Sequence, residues 1–284
     1  MISSSANGRV KQVMNLIKKA KARKENGLFV AEGARMVREI PQDRIESVFV
    51  SESFLKSPGN RRLLDAVRGV LPADEEPGKV PAAGPGVRRE IICETVTDEV
   101  FKTMSDTTTP QGILAVVRQY DHTLEDILKQ PGPAFIMILE TIQDPGNLGT
   151  ILRAGEGAGI TGVMMNDTTA DIYNPKVIRS TMGSVCRVPF VYVPDLTKTL
   201  ETLKDRGIRL YAAHLNGRNN YDKEDYTVNT GFLIGNEANG LSEEAASLAD
   251  MYIRIPMKGK VESLNAAVAA SVLMYETARQ RRVE

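Results

Sequence analysis

Three stretches in the second half of the chain gather side chains able to hold a polar ligand. An apolar run, Phe135 to Leu139, ends in Glu140-Thr-Ile-Gln-Asp-Pro-Gly-Asn147, and Arg153 follows six residues later. A second run, Gly231-Phe-Leu-Ile, passes into Gly235-Asn-Glu237-Ala-Asn-Gly-Leu-Ser242. A third segment, Ile253-Arg-Ile255-Pro-Met257, leads to Ser263-Leu264-Asn265 and an alanine-rich stretch. Amides, a carboxylate, a hydroxyl and a guanidinium supply donors and acceptors of both signs. Nothing among them has metal-ligand spacing, because His122 and His214 stand alone in sequence, so no metal is expected. A Gly-x-Ser-x-Gly elbow and a Gly-x-x-x-x-Gly-Lys-Ser/Thr loop are both missing, which leaves hydrolase and P-loop chemistry unsupported. Alone, the first cluster reads equally well as a capped turn beside a surface arginine. Together, at three strand ends, they suit a pocket for a polar organic cofactor.

The elements that must position them alternate. Apolar strands at 134–139, 162–165, 190–193, 209–214, 230–234 and 251–255 are separated by helical patterns from about Asn147, Pro175, Leu196, Ser242 and Leu264. Strand, helix, strand in succession predicts an α/β domain with a parallel sheet, and ligands of such sheets bind outside the carboxyl ends of the strands. Asn147 is placed to start one helix and Ser242 to cap another. Gly155-x-Gly157-x-Gly159 has nucleotide-binding spacing, but these glycines close a helix before a strand, where close packing or a left-handed cap explains them better.

The first 120 residues predict a smaller mixed α/β unit, with strands at 27–33, 44–50, 90–95 and 112–117 and a helix at 34–39. Residues 1–24 hold Arg9, Lys11, Lys18, Lys19, Lys21, Arg23 and Lys24 and no acid. Val10, Met14, Ile17 and Ala20 recur at helical spacing, so one amphipathic basic helix is expected over 9–24, fit to track phosphates. A proline- and glycine-rich stretch, 72–86, reads as a surface loop, and 121–132 as a linker that holds a short polar helix from about Thr123, where Thr123 can cap and Asp126 sits at the third helical position. The resulting organisation is 1–120, linker 121–132, and 133–284.

With 284 residues, 42% of them hydrophobic and 25% charged, the chain can bury real cores and does not resemble disordered sequences. The net charge of zero argues against unselective coating of nucleic acid. No run reaches the roughly 20 apolar residues of a membrane helix, and no secretory h-region opens the chain. A cytoplasmic protein with two buried, inert thiols, Cys93 and Cys186, is expected.

The three clusters, in this order, resemble the motifs of the SpoU (TrmH-type) branch of the SPOUT RNA methyltransferases. The likeness rests on Asp144-Pro-Gly-Asn-Leu-Gly149 with Arg153, on Gly235-Asn-Glu-Ala-Asn-Gly-Leu-Ser242, and on Ile255-Pro-Met257 with Ser263-Leu-Asn265. It spans about 134–280, departing where Ala154-Gly155 replaces the common Thr-Ala and Ala266-Ala267 a bulkier pair. The first half resembles a substrate-binding domain akin to ribosomal proteins that bind RNA kinks, through Lys21-x-Arg23, Phe29-Val-Ala-Glu-Gly33 and Thr109-Pro-Gln-Gly-Ile-Leu-Ala115.

The resemblance implies a SPOUT domain with a deep trefoil knot, a homodimer, and S-adenosylmethionine held around Gly235, Ile255, Met257 and Leu264. It implies methyl transfer to a ribose 2′-hydroxyl of RNA, with ribosomal RNA favoured over transfer RNA because of the separate first domain. Arg153 is then a general base or an electrostatic stabiliser, Asn147 and Glu237 orient the site, and Ser263 and Asn265 lie at the reaction centre. Lys18, Lys19, Lys21 and Arg23 become RNA contacts. The alternative is an RNA-binding ribosome-assembly factor without catalysis.

Overall fold

The computed structural model describes residues 1–69, 91–215 and 217–282, so the expected loop at 72–86 lies outside the described residues. The chain divides into two compact units, one formed by 1–120 with 173–186 and the other by 121–172 with 187–284.

The first unit opens with two helices, α1 (Gly8–Lys18) and α2 (Ala20–Asn26), where the sequence predicted one. The break falls at Lys19, which is extended, and its N–H still bonds Asn15 O. The buried face is Val10, Val13, Leu16 and Ile17, while Ala20 is exposed; Phe49, Phe101 and Leu114 cover that face. Arg23 corrects the RNA-contact expectation. It is only 3% exposed, and its guanidinium donates to Leu16 O at 2.6 Å and Ile17 O at 3.1 Å. These are carbonyls that the end of α1 leaves unsatisfied, so Arg23 ties the two helices together rather than meeting a ligand.

Strands β1 (Leu28–Glu32), β2 (Ile45–Ser51), β3 (Ile92–Val96) and β4 (Ile113–Arg118) form a sheet in the order β1-β4-β2-β3, antiparallel except for β2 with β3. Helices α3 (Ala34–Glu39), α4 (Pro58–Val67) and α5 (Asp98–Met104) accompany this sheet among the described residues. Two of the three sequence phrases that suggested an RNA-binding domain meet here, where β1 pairs with β4 and Gly33 N donates to Ile113 O at 2.9 Å. Glu32 accepts from Ser105 Oγ at 2.6 Å and Thr107 Oγ1 at 2.8 Å, and Gln111 Oε1 accepts from Ala34 N at 3.0 Å. Cys93 and Cys186 are half-buried rather than buried, and burial pushes the Cys93 thiol up.

The second unit begins earlier than expected, since the stretch read as a linker carries α6 (Leu124–Leu128). Thr123 and Asp126 form a capping box, and Ile127 is fully buried against Gly162 and its neighbours. Then come β5 (Phe135–Leu139), α7 (Pro145–Ala158) and β6 (Gly162–Asn166). After α8 (Pro175–Thr181), within the 173–186 segment of the first unit, the chain continues through β7 (Phe190–Val193), α9 (Leu196–Asp205), β8 (Arg209–Ala213) and β9 (Asn219–Asn220). It ends with β10 (Thr230–Ile234), α10 (Glu243–Ser247), β11 (Met251–Arg254) and α11 (Ala266–Arg281).

All seven strands pair in parallel, in the order β7-β6-β5-β10-β8-β11-β9. Every residue of β5 and β10 is buried, as expected for strands covered on both faces. From β5 the chain winds outward to β6 and β7, whereas β8 lies beyond β10. The order therefore reverses between β5 and β10, where crevices form in open parallel sheets. Gly159 ends α7 in a left-handed cap, and Gly155 leaves room that a Cβ would take from Ile160. Among the described residues no helix is long and apolar enough to cross a membrane.

Candidate active site

The first cluster leaves β5 through a tightly held turn. Thr141 adopts φ 58°, costly for a β-branched residue, and bonds to Asn166 and Asn236 hold it there. Its N–H donates to Asn166 Oδ1 at 2.8 Å, its Oγ1 accepts from Asn166 Nδ2 at 3.0 Å, and its carbonyl accepts from Asn236 Nδ2 at 2.9 Å. Asp144, not Asn147, caps α7, accepting from Asn147 N at 2.8 Å, with Pro145 at the first helical position. Asn147 thus lies one turn further in, buried, with its side chain released for another task.

That task links the three clusters. Asn147 Nδ2 donates to Glu237 Oε1 at 2.9 Å, and Asn147 Oδ1 accepts from Asn265 Nδ2 at 2.9 Å. Glu237 also accepts from the N–H groups of Gln143 and Asp144, each at 3.2 Å. Burial opposes ionisation of this carboxyl, but the Asn147 amide and the backbone donors outweigh it, and the group is held below its ordinary value. Asn265 spends its Oδ1 on the N-terminus of α11, accepting from Ala267 N at 2.9 Å and Val268 N at 3.3 Å. A second tie joins the same strands, since Glu140 accepts from Ser242 N and Ser242 Oγ at 2.8 and 2.7 Å. Ser242 caps α10 as expected.

Gly235 is required by this closure. Asn236 and Gly240 exchange two backbone bonds of 2.9 Å, and a Cβ on Gly235 would lie 2.2 Å from Gly240 C and Leu241 N. Sequence reasoning missed Thr141, Asn166 and Asn236. The signal available for Asn166 was a polar residue at the carboxyl end of an apolar strand; for Asn236 it was adjacency to Glu237.

Arg153 and Ser263 stand apart from this network. Both are exposed, and neither side chain makes a hydrogen bond or ion pair among the described residues. Ile255, Met257 and Leu264 are half-buried in an irregular segment between β11 and α11, and the main chain of 256–264, like that of Gly235, makes no hydrogen bond among the described residues. Backbone donors and acceptors flanked by half-buried apolar side chains suit an adenine and an amino-acid end, which offer matching polar edges on a flat apolar body. The residues present therefore fit S-adenosylmethionine. No group of three or more His, Cys, Asp or Glu among the described residues is placed to hold a metal.

A parallel α/β unit with polar motif residues gathered at its strand ends, in one chain with a small mixed α/β unit, defines a class of two-unit α/β proteins. The chain belongs to the SpoU rRNA Methylase family, whose model matches residues 134–275; an MRM3-like substrate binding domain matches 7–115. The 23S rRNA (guanosine(2553)-2′-O)-methyltransferase RlmP of Bacillus subtilis is 31% identical over 274 residues, 96% of this chain and 97% of that one. Among solved structures, the SpoU methyltransferase AviRb from Streptomyces viridochromogenes in complex with AdoMet is 27% identical at a TM-score of 0.79, covering 97% of this chain and 99% of that one. The AdoMet-bound rRNA methyltransferase from Sinorhizobium meliloti is 27% identical at 0.81, covering 99% of this chain and 98% of that one.

Proposed function

We propose that this protein methylates a ribose 2′-hydroxyl of ribosomal RNA, with large-subunit RNA as the favoured target. The observation that carries the reading is the hydrogen-bonded row Glu237, Asn147, Asn265, which joins the three motif segments beside the unpaired main chain of Gly235 and 256–264. S-adenosylmethionine supplies an electrophilic methyl group when bound. The main chain of Gly235 and the side chains of Ile255, Met257 and Leu264 hold it and exclude water from its apolar surface.

The remaining task is to present the 2′-hydroxyl in line and to ease loss of its proton. A guanidinium does not give up its own proton near neutrality, so Arg153 acts as a fixed cation: it binds the neighbouring phosphate and favours the developing alkoxide. Among the described residues no carboxylate pairs with it, which leaves that charge for the substrate. Asn147, Glu237 and Asn265 are positioning residues, because their polar atoms are committed to one another and to backbone. Ser263, exposed and unbonded, is the hydroxyl left to contact substrate.

The same reading has the chain threading a deep trefoil knot, supported by α11 leaving β11 and returning across the sheet to pack on α7. It works as a homodimer in the cytoplasm, and Val268 and Tyr275, exposed on one face of α11, support the dimer. Residues 1–120 recognise RNA through the exposed Lys18, Lys19 and Lys21.

The test is to incubate the protein and its Arg153→Ala variant with S-adenosylmethionine and unmodified ribosomal RNA, then map positions resistant to alkaline cleavage. One protected position, lost with the variant, is expected. Protection seen only on transfer RNA would move the target, and failure to bind S-adenosylmethionine would favour a non-catalytic assembly factor.

A further inference from the structure

Thr141 lies between two loops of the second unit and is bonded by both. The loop after β6 reaches it through Asn166, which accepts from Thr141 N at 2.8 Å and donates from Nδ2 to Thr141 Oγ1 at 3.0 Å. The loop after β10 reaches it through Asn236, whose Nδ2 donates to Thr141 O at 2.9 Å. Asn166 is itself held, because its Oδ1 also accepts from the hydroxyl of the buried Thr169 at 2.8 Å. A backbone tie runs alongside, with Ala170 N donating to Ile142 O at 2.8 Å, and Ile142 is buried.

This clamp works against a local preference. A branched side chain crowds the backbone at positive φ, and Thr141 sits at φ 58°. Without its ties the turn would relax toward negative φ and redirect the peptide groups that follow. Those groups serve the row at the crevice, since Gln143 N and Asp144 N both donate to Glu237 at 3.2 Å. Asp144 also caps α7, the helix that carries Asn147 and Arg153. On the other side, Asn236 immediately precedes Glu237 in the chain. Both halves of the Glu237 contact therefore trace back to Thr141. A strained residue over-determined by its surroundings points to function when what it fixes is the site itself.

We propose that Asn166 is a positioning residue for methyl transfer: it holds Thr141 in the left-handed turn that aims the Gln143 and Asp144 N–H groups at Glu237, and so fixes the row Glu237, Asn147, Asn265. The assignment rests on the reading of this crevice as a methyl-transfer site. Asn166 acts through Thr141, not by contact with substrate.

The test compares full-length Asn166→Ala, Thr141→Gly and the two combined, with kcat and KM on ribosomal RNA measured beside thermal melts. Asn166→Ala should lower kcat by about 10–100-fold, the scale of a small misplacement at a reacting centre, with KM for ribosomal RNA little changed. Glycine adopts positive φ freely, so adding Thr141→Gly should recover most of that loss. A residue that only stabilised the fold would lower Tm and the amount of active protein, and glycine would not restore turnover. Should Asn166→Ala fail to fold alone, the Thr141→Gly background carries the test: there, removing Asn166 should cost less than about threefold in kcat. An unchanged kcat in Asn166→Ala, or a loss of the same size with glycine at 141, would overturn the proposal.

Amide hydrogen exchange supplies a readout that needs no activity. In Asn166→Ala the Gln143 and Asp144 amides should exchange about tenfold faster while those of β5 stay as protected as before. Intact protection of these two amides beside an active wild type would remove the assignment and leave the activity standing. Local loosening without any methylation by the wild type would remove the functional reading and the assignment with it, leaving a clamp that only shapes the fold.

Discussion

The polar residues around the crevice divide into two kinds. Asn147, Glu237 and Asn265 are locked to each other and to backbone, with each strong donor or acceptor facing a partner at hydrogen-bond distance. The side chains of Arg153 and Ser263, named by the same sequence motifs, are bonded to nothing among the described residues. The same split recurs at the other end of the chain, where Arg23 is buried against two carbonyls while Lys18 and Lys19 face outward. On the proposed reading, a motif residue is thus either part of the frame or part of the reacting surface. The difference lies in whether its hydrogen-bonding capacity is spent inside the fold. Frame residues fix geometry before substrate arrives, and surface residues keep their charge available for it.

The sharpest way to break this division is Arg153→Ala. Methyl transfer should fall by about 100–1,000-fold, the scale of losing one transition-state stabilising group, while Tm stays unchanged. Parallel rate and thermal-melt measurements decide it, and a destabilised variant would place Arg153 in the frame after all.

Asn147→Ala should behave in the opposite sense. It strands Glu237 Oε1 and Asn265 Nδ2 together, so urea unfolding should show a loss of about 1–3 kcal/mol, and S-adenosylmethionine affinity should fall with it because the three loops lose their common tie. Asn147→Asp should be worse for folding near neutral pH, since it sets a second carboxylate against the first.

At the first unit the comparison sharpens in one pair of variants. Replacing Lys18, Lys19 and Lys21 by Gln should weaken RNA binding about tenfold and flatten its salt dependence by roughly 0.7 in slope for each phosphate no longer neutralised. Arg23→Gln should leave that slope alone and lower stability instead, because Leu16 and Ile17 lose the donor that closes α1.

The smallest effect concerns pH. The Glu237 carboxyl is held below its ordinary value of 4.5 in the folded protein, so its contribution to stability is complete above that value and disappears as pH falls through the lower folded one. Glu237→Gln should remove this acid-side slope from a series of unfolding curves. The change should be modest because solvent reaches the carboxylate.

Much of this was legible beforehand for a physical reason. The alternation of apolar strands with helices that marks a parallel sheet is a local pattern, and β5, β7, β10 and α3 begin and end where apolar runs and turn residues put them. Capping is equally local, so Ser242 and the Thr123–Asp126 box were visible. Short-range competition was not. A single helix over 9–24 is favoured by spacing alone, yet Lys19 breaks it because Arg23 can satisfy the freed carbonyls only once the chain has bent. Ile127 sat in what composition marked as a linker, and the absence of a side chain on Gly162, 35 residues away, gave it a place to be buried.

The sequence by itself determined the class of fold, the three clusters at strand ends and the absence of a metal-ligand pattern, because each of these is written in periodicity and residue type over short distances. Only the tertiary structure decided which motif side chains bond to one another and which stay exposed. Asn147 and Asn265 are 118 positions apart and Asn147 and Glu237 are 90 apart. No local pattern states that one amide bridges the other two groups, that Thr141 must bear a left-handed backbone to allow it, or that Arg153 is left over with its charge unspent. Those outcomes depend on which donors and acceptors the strand order brings within about 3 Å of each other, a hydrogen bond's reach, and strand order is a property of the whole folded unit.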